Sequence, residues 1–247
     1  MTVELGRPHR HHRRVDSTNE RAKQLAMAGA PGGLVVTADE QSAGRGRRGN
    51  AWFAPAGSCL LYSAVVRPFA ADRSPLLPLA VPIAVCEVAE GVSPVRCQVK
   101  WPNDVWIDER KVSGVLVEAR PDEGWAVVGV GLNVAIAEDE LPPELRGTAI
   151  SLLPTEAEGG LPPGGAPGVK QCLEALNETL GRWLDASNDE ILSAYRARDA
   201  LSGRRISWDG GAGMAKEIDE HGHLVVERPD GERVKLGAGE VHLAVAS

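Results

Sequence analysis

Four short polar motifs combine residue types that can grip an anion or a polar heterocycle. Gly44-Arg45-Gly46-Arg47-Arg48-Gly49 interleaves glycines, which let a backbone approach a ligand, with guanidinium groups that bind carboxylate or phosphate in bidentate fashion. By itself this is equally a solvated basic loop or an RNA-contacting tract. Lys100-Trp101-Pro102-Asn103-Asp104 sets a cation, an amide and a carboxylate around a proline that removes its predecessor from helical geometry. The Asn103 amide offers a donor and an acceptor, as an adenine edge requires, and Asp104 is of the type that holds a metal. A plain β-turn has the same composition.

Lys111-Val112-Ser113-Gly114 places one lysine before the apolar run Val115-Leu116-Val117-Glu118. That position suits either a cation facing a bound anion or a surface lysine resting its stem on apolar neighbours. Gly129-Val130-Gly131-Leu132-Asn133 interrupts a strand with glycines where a backbone or a ligand must come close. It is not G-x-G-x-x-G, and H-E-x-x-H, Walker A and G-x-S-x-G patterns are missing from the sequence.

The elements that must position these motifs follow from periodicity. Ser17-Thr18-Asn19-Glu20 reads as a capping box, with Ala22, Leu25 and Ala26 at helical spacing and Gly29 as the stop. Residues 34–38 and 59–66 read as buried strands, and 76–89 as a buried helix whose start is blurred by Pro78 and Pro82. Strands at 95–100, 105–108, 112–118 and 125–130 are separated only by short turns, which implies antiparallel pairing. Residues 154–168, dense in Pro, Gly and Glu, read as a mobile loop. Val169, Cys172, Leu173, Leu176, Leu180, Trp183 and Leu184 then repeat at helical spacing, and Asn188 caps a further helix. After Leu201, short β runs between Gly- and Asp-rich turns suggest a small β-barrel. The fold class expected is α+β: a mixed sheet with packed helices over 15–200, a small barrel over 201–247 and a basic tail over 1–14.

Composition sets the outer bounds. The 247 residues, 43% apolar and 25% charged, suit one large domain or a medium one with a small companion. Cys59, Cys86, Cys97 and Cys172 show no C-x-x-C spacing, so buried thiols in a reducing cytoplasm are expected, with no metal site. No apolar run approaches the roughly 20 residues of a membrane span, and the basic N-terminus lacks the apolar stretch of a signal peptide. A net charge of −7 argues against a general nucleic-acid binder.

Individually modest, the motifs gain meaning from their order. Ser17-Thr18-Asn19, Gln41 ahead of the Gly/Arg loop, then KWPND, KVSG and GVGLN resemble the catalytic domain of biotin–protein ligases. The resemblance runs from about residue 15 to 133, and more weakly to 237–243, which is similar to the family's SH3-like C-terminal domain. It implies a mixed-sheet catalytic domain distantly related to class II aminoacyl-tRNA synthetases. The implied reaction activates biotin with ATP and Mg²⁺ to biotinyl-5′-AMP, then biotinylates a lysine of a biotin carboxyl carrier protein. Ser17, Thr18, Asn19 and Gln41 would hold the biotin rings, and Gly44, Arg45, Gly46 and Arg47 would close over biotin and the adenylate. Lys111 and Gly114 would sit at the biotin carboxylate, with Lys111 and Arg47 catalytic. Trp52, Lys100, Asn103 and Asn133 would serve the ATP side.

Two departures stand out: Ser113 replaces the alanine of many relatives, and the Pro/Gly/Glu stretch differs from a compact adenylate loop. The few residues before Val15 cannot form a helix-turn-helix module, so sequence-specific DNA binding is not expected. Homodimerisation is left open. The alternatives are a lipoate ligase or octanoyl transferase on the same sheet, and a non-enzymatic nucleic-acid module supported only by the Arg-rich segments.

Overall fold

The computed structural model describes residues 4–73, 75–152, 168–237 and 239–243. A seven-stranded sheet comprises β1 (His9–Val15), β2 (Val35–Gln41), β3 (Cys59–Val66), β4 (Gln98–Lys100), β5 (Asp104–Ile107), β6 (Arg110–Arg120) and β7 (Trp125–Asn133). Their order is β1-β2-β3-β7-β6-β5-β4. Only the β1–β2 pair is parallel, so the sheet is mixed, as the closely spaced strands led us to expect. The basic stretch read as a tail is instead largely this edge strand. An edge strand with mostly exposed side chains carries no apolar alternation, and His9-Arg10-His11-His12-Arg13-Arg14 offered none.

Strands β3 and β7 are buried along almost their whole length because helices cover both faces of the sheet. Helix α1 (Thr18–Met27) packs on one face, pressing Ala22 and Ala26 onto Val36, Val65 and Val127. Its N-cap is Ser17, whose Oγ accepts from the Glu20 N–H, and Gly29 ends the turn at φ +85. The Glu20 carboxylate forms ion pairs instead of closing the expected capping box.

On the opposite face, α2 (Leu77–Val92) is apolar around most of its circumference because α3 (Val169–Asp185) covers its outer side. Pro78 occupies the first turn of α2, where no intrahelical N–H is needed. Helix α4 (Asn188–Arg196) is capped by Ser187, one residue before the expected Asn188. The expected loop at 154–168 lies, except for Gly168, outside the described residues. All four cysteines are buried and free. No helix among the described residues is long and apolar enough to cross a membrane.

A second sheet contains β8 (Arg205–Trp208), β9 (Gly211–Ile218), β10 (Leu224–Glu227), β11 (Arg233–Leu236) and β12 (Val241–Leu243). Its order is β11-β10-β9-β8-β12, with no ladder between β11 and β12 among the described residues. The expected closed barrel is therefore an open antiparallel sheet there. Ile206, Ala215, Leu224 and Val241 join the same apolar cluster as α2 and the large sheet.

The β9–β10 turn docks by a hydrogen bond from Trp101 Nε1 to the Gly222 carbonyl at 3.1 Å. Asp219 organises that turn, accepting from the N–H groups of His221 and His223, both at 2.9 Å, and pairing with Lys235 at 2.9 Å. Burial alone would raise the Asp219 carboxyl, but Lys235 and the two N–H groups outweigh it and hold it down at about 2. A depressed carboxyl contributes stability above its unfolded value near 3.8, and that contribution is lost as pH falls through about 2. Asp219→Asn is thus expected to lower the unfolding free energy at pH 7 by roughly 1–2 kcal/mol, with the deficit vanishing near pH 2. Urea denaturation as a function of pH reads both.

Candidate active site

Alternation along the central strands decides where a cavity can open. Leu60, Tyr62 and Ala64 of β3, Val128, Val130 and Leu132 of β7, and Val115 and Val117 of β6 belong to the α2 side of the sheet. The alternate residues face α1, among them Ser63, Gly129, Gly131 and Gly114. Three of these four are glycine, so that face is hollow. Side chains could not replace them: a Cβ on Gly131 would collide with the Trp52 indole, and one on Gly129 with Asn19 Oδ1. At Gly114 a Cβ would meet Trp52 at 3.0 Å and the Lys111 Nζ at 3.1 Å.

The floor of the hollow is polar and buried. Ser17, Thr18 and Asn19, at the start of α1, are each no more than 5% exposed, and Ser63 is fully buried. The Thr18 N–H and hydroxyl both donate to Gln41 Oε1, at 2.7 and 3.1 Å. Ser63 Oγ lies 2.9 Å from Thr18 Oγ1 and 3.0 Å from Asn19 Oδ1. Gln41 thereby turns its carbonyl to Thr18 and leaves its NH₂ to face elsewhere.

Cations gather on the other side. Lys111 Nζ pairs with Asp104 Oδ1 at 2.7 Å and lies 5.6 Å from the Trp52 ring. The Lys111 backbone is clamped, donating to the Thr148 carbonyl at 2.8 Å and accepting from Ile150 at 2.9 Å. Arg47 donates to Asn103 Oδ1 at 3.1 Å, while Asn103 Nδ2 donates to the Val115 carbonyl at 2.7 Å. Burial lowers the Lys100 ammonium below its usual range, opposed by Asp104 and Glu240. Arg45 is drawn outward to Glu20 at 3.3 Å. The Gly/Arg loop itself bends through Arg48 at φ +56 and Gly49 at φ +82.

One cavity is lined by Ser17, Thr18, Asn19, Gln41, Arg45 and Gly46 together with Arg47, Trp52, Lys100, Asn103, Lys111 and Gly114. Two expected residues are not among the described residues that line it. Gly44 packs behind, against the Trp52 backbone and Gln41 Nε2. Asn133 donates to the Ile150 carbonyl at 3.0 Å and so braces the segment that clamps Lys111. Ser113 also points to structure, donating to the Gly131 carbonyl at 2.7 Å. Sequence reasoning missed Ser63, whose signal was a small hydroxyl in a buried strand, and Glu240, which the second sheet brings to the cavity.

Comparison with known proteins decides the kinship. The biotin/lipoate A/B protein ligase family profile matches residues 12–134. The biotin--[acetyl-CoA-carboxylase] ligase of Paracoccus denitrificans is 36% identical over 244 residues, 92% of this chain and 97% of that protein. The chain belongs to the biotin–protein ligase family. The ligase of the same name from Mycobacterium tuberculosis is 34% identical, covering 91% of this chain and 85% of that one. The chain spans less than half the length of the Bacillus spizizenii bifunctional ligase/repressor BirA, to which it is 34% identical over 148 residues. Among solved structures, the Aquifex aeolicus biotin protein ligase in complex with biotin and ATP aligns with a TM-score of 0.78. That match is 26% identical and covers 96% of this chain and 99% of the other.

Two glycine substitutions separate close approach from plain flexibility. Gly129→Ala drives a methyl group into Asn19 and is expected to destabilise the fold by about 1–3 kcal/mol. Gly91→Ala, in the last turn of α2 with open space around it, should be neutral or stabilise by up to about 1 kcal/mol. Urea denaturation of the two variants is expected to give these opposite outcomes.

Proposed function

We propose that this chain joins biotin to AMP at the expense of ATP and transfers the biotinyl group to a lysine of a biotin carboxyl carrier protein. The buried floor is the observation that carries this reading. A cyclic urea needs acceptors for two N–H groups and donors for its carbonyl. The floor offers hydroxyl oxygens from Ser17 and Ser63 and the NH₂ of Gln41, whose carbonyl is already taken by Thr18. A purely hydrocarbon acyl chain would leave those buried groups unpaired, which disfavours a lipoate- or octanoate-handling relative. The matched relatives are named for biotin ligation, which supports the same substrate.

In the first step the biotin carboxylate attacks the α-phosphorus of ATP and pyrophosphate leaves with the electron pair of the broken P–O bond. In the second, a carrier lysine amine attacks the acyl carbon of the mixed anhydride, AMP leaves, and the new amide nitrogen loses a proton. Both steps concentrate negative charge at one point, where Lys111 and Arg47 supply fixed cations in a site partly closed to water. Asp104 holds Lys111 in place, and Gly114 leaves room for its ammonium. Lys100 and Asn103 belong to the ATP side, with the Trp52 indole as the stacking surface. Mg²⁺ arrives as part of the ATP substrate, and Asp104 and Glu240 are oxygen donors of the kind it accepts. Residues 15–200 are read as the catalytic unit and 201–247 as an SH3-like module that lends Gly239, Glu240 and Val241 to the cavity. Four free buried thiols fit a cytoplasmic setting.

Lys111→Ala tests the mechanism. The side chain is 36% exposed and packs little apolar surface, so the fold should persist. Single-turnover formation of biotinyl-AMP, read by mass, is expected to slow by roughly 10²-fold or more. Lys111→Arg need not rescue it, because a planar fork cannot replace a compact ammonium beside Gly114. Unchanged kinetics in Lys111→Ala would remove the residue from the reaction.

A further inference from the structure

Glu118 is not among the described residues lining the cavity, yet it ends a chain of hydrogen bonds that runs through the floor. Its Oε2 accepts from Asn19 Nδ2 at 2.7 Å and its Oε1 pairs with Lys23 Nζ at 2.9 Å. Lys23 in turn reaches Glu20 Oε2 at 3.1 Å, and Glu20 holds Arg45. The Lys23, Glu20 and Glu118 side chains are each no more than a third exposed, so these pairs are shielded more than surface ion pairs.

We propose that Glu118 is a positioning residue for biotin: by fixing the orientation of the Asn19 amide, it sets which floor atoms donate and which accept. This rests on the functional reading above. An ionised carboxylate only accepts, so Asn19 must turn its NH₂ to Glu118 and its carbonyl to Ser63. The Thr18 hydroxyl spends its proton on Gln41 Oε1. The single Ser63 proton is therefore taken up by Asn19 Oδ1 or Thr18 Oγ1, its two nearest acceptors. What Ser63 has left for a ligand is lone pairs, which accept a ureido N–H. If Asn19 were reversed, Ser63 would give its proton to Thr18 Oγ1 and accept from the Asn19 NH₂, so one of the lone pairs meant for the ligand would be spent. The floor would then offer the ureido N–H groups one acceptor fewer. Gly129 keeps the Asn19 carbonyl tightly seated, since any larger residue would occupy its place.

Isosteric substitutions separate polarity from packing. In Glu118→Gln, Lys23 holds the amide oxygen, so the new NH₂ faces Asn19 and forces it to reverse. Asn19→Asp sets two carboxylates against each other. In the double variant Asn19→Asp/Glu118→Gln the amide donates to the carboxylate, and the second oxygen of residue 19 again accepts from Ser63. Titration calorimetry with biotin on the full chain is expected to show each single variant weakened about tenfold, the scale of one hydrogen bond lost to a buried group. The double variant should return to within about threefold of the wild type. Steady-state kinetics of Glu118→Gln should show KM for biotin rising in parallel while KM for ATP stays within about twofold. Wild-type-like biotin binding by Glu118→Gln, or a double variant as weak as the two losses combined, would overturn the proposal. A wild-type chain that binds no biotin would overturn the functional reading itself, and this inference with it.

Discussion

Helix α1 begins against the face of the sheet, so Ser17, Thr18 and Asn19 must satisfy their hydrogen bonds with little help from water. That requirement shapes much of what surrounds them. Gln41 comes from the end of β2, Ser63 from the middle of β3, and Glu118 from β6, each to meet one of these three side chains or its neighbour. Gly129 of β7 is glycine because Asn19 occupies the space of its side chain. Three strands are thus tied to one helix N-terminus by polar contacts, and a fourth gives up a side chain to make room for it. The same contacts leave a defined set of donors and acceptors facing the cavity.

The cationic side follows a different logic. Lys111, Arg47 and Lys100 are brought together, and burial disfavours the charges of Arg47 and Lys100. Asp104 and Glu240 moderate it, one from the large sheet and one from the small. A phosphate-bearing ligand would complete the neutralisation, so binding energy is available where charge develops during reaction. The clamp on the Lys111 backbone fixes the base of its side chain, and Asn133 braces the same segment.

Much of this was legible in the sequence where periodicity and chemistry agree. β3 was read at its observed limits, and the glycines of β7 two residues apart announced that one face must accept something close. The order of the motifs pointed to the family before any coordinate. Other features had no local signal. β1 lacks apolar alternation because one edge is unpaired and most of its side chains are exposed. Asn133 read as a ligand-facing amide, and its hydrogen bond to the Ile150 carbonyl depends on the path of residues 148–150, which no local spacing announces. Glu118 read as the polar end of an apolar strand, since nothing in the sequence brings it to Asn19 across 99 positions. Contacts of that range are set by topology, not by spacing.

The central claim is that a floor built for a cyclic urea feeds a carboxylate to a cation cluster holding ATP. Isotope exchange between labelled pyrophosphate and ATP, in the absence of any carrier protein, measures the reversible first half of that reaction alone. The account predicts exchange that depends on biotin and is not supported by lipoate. Equal exchange with lipoate, or none with biotin, would contradict it.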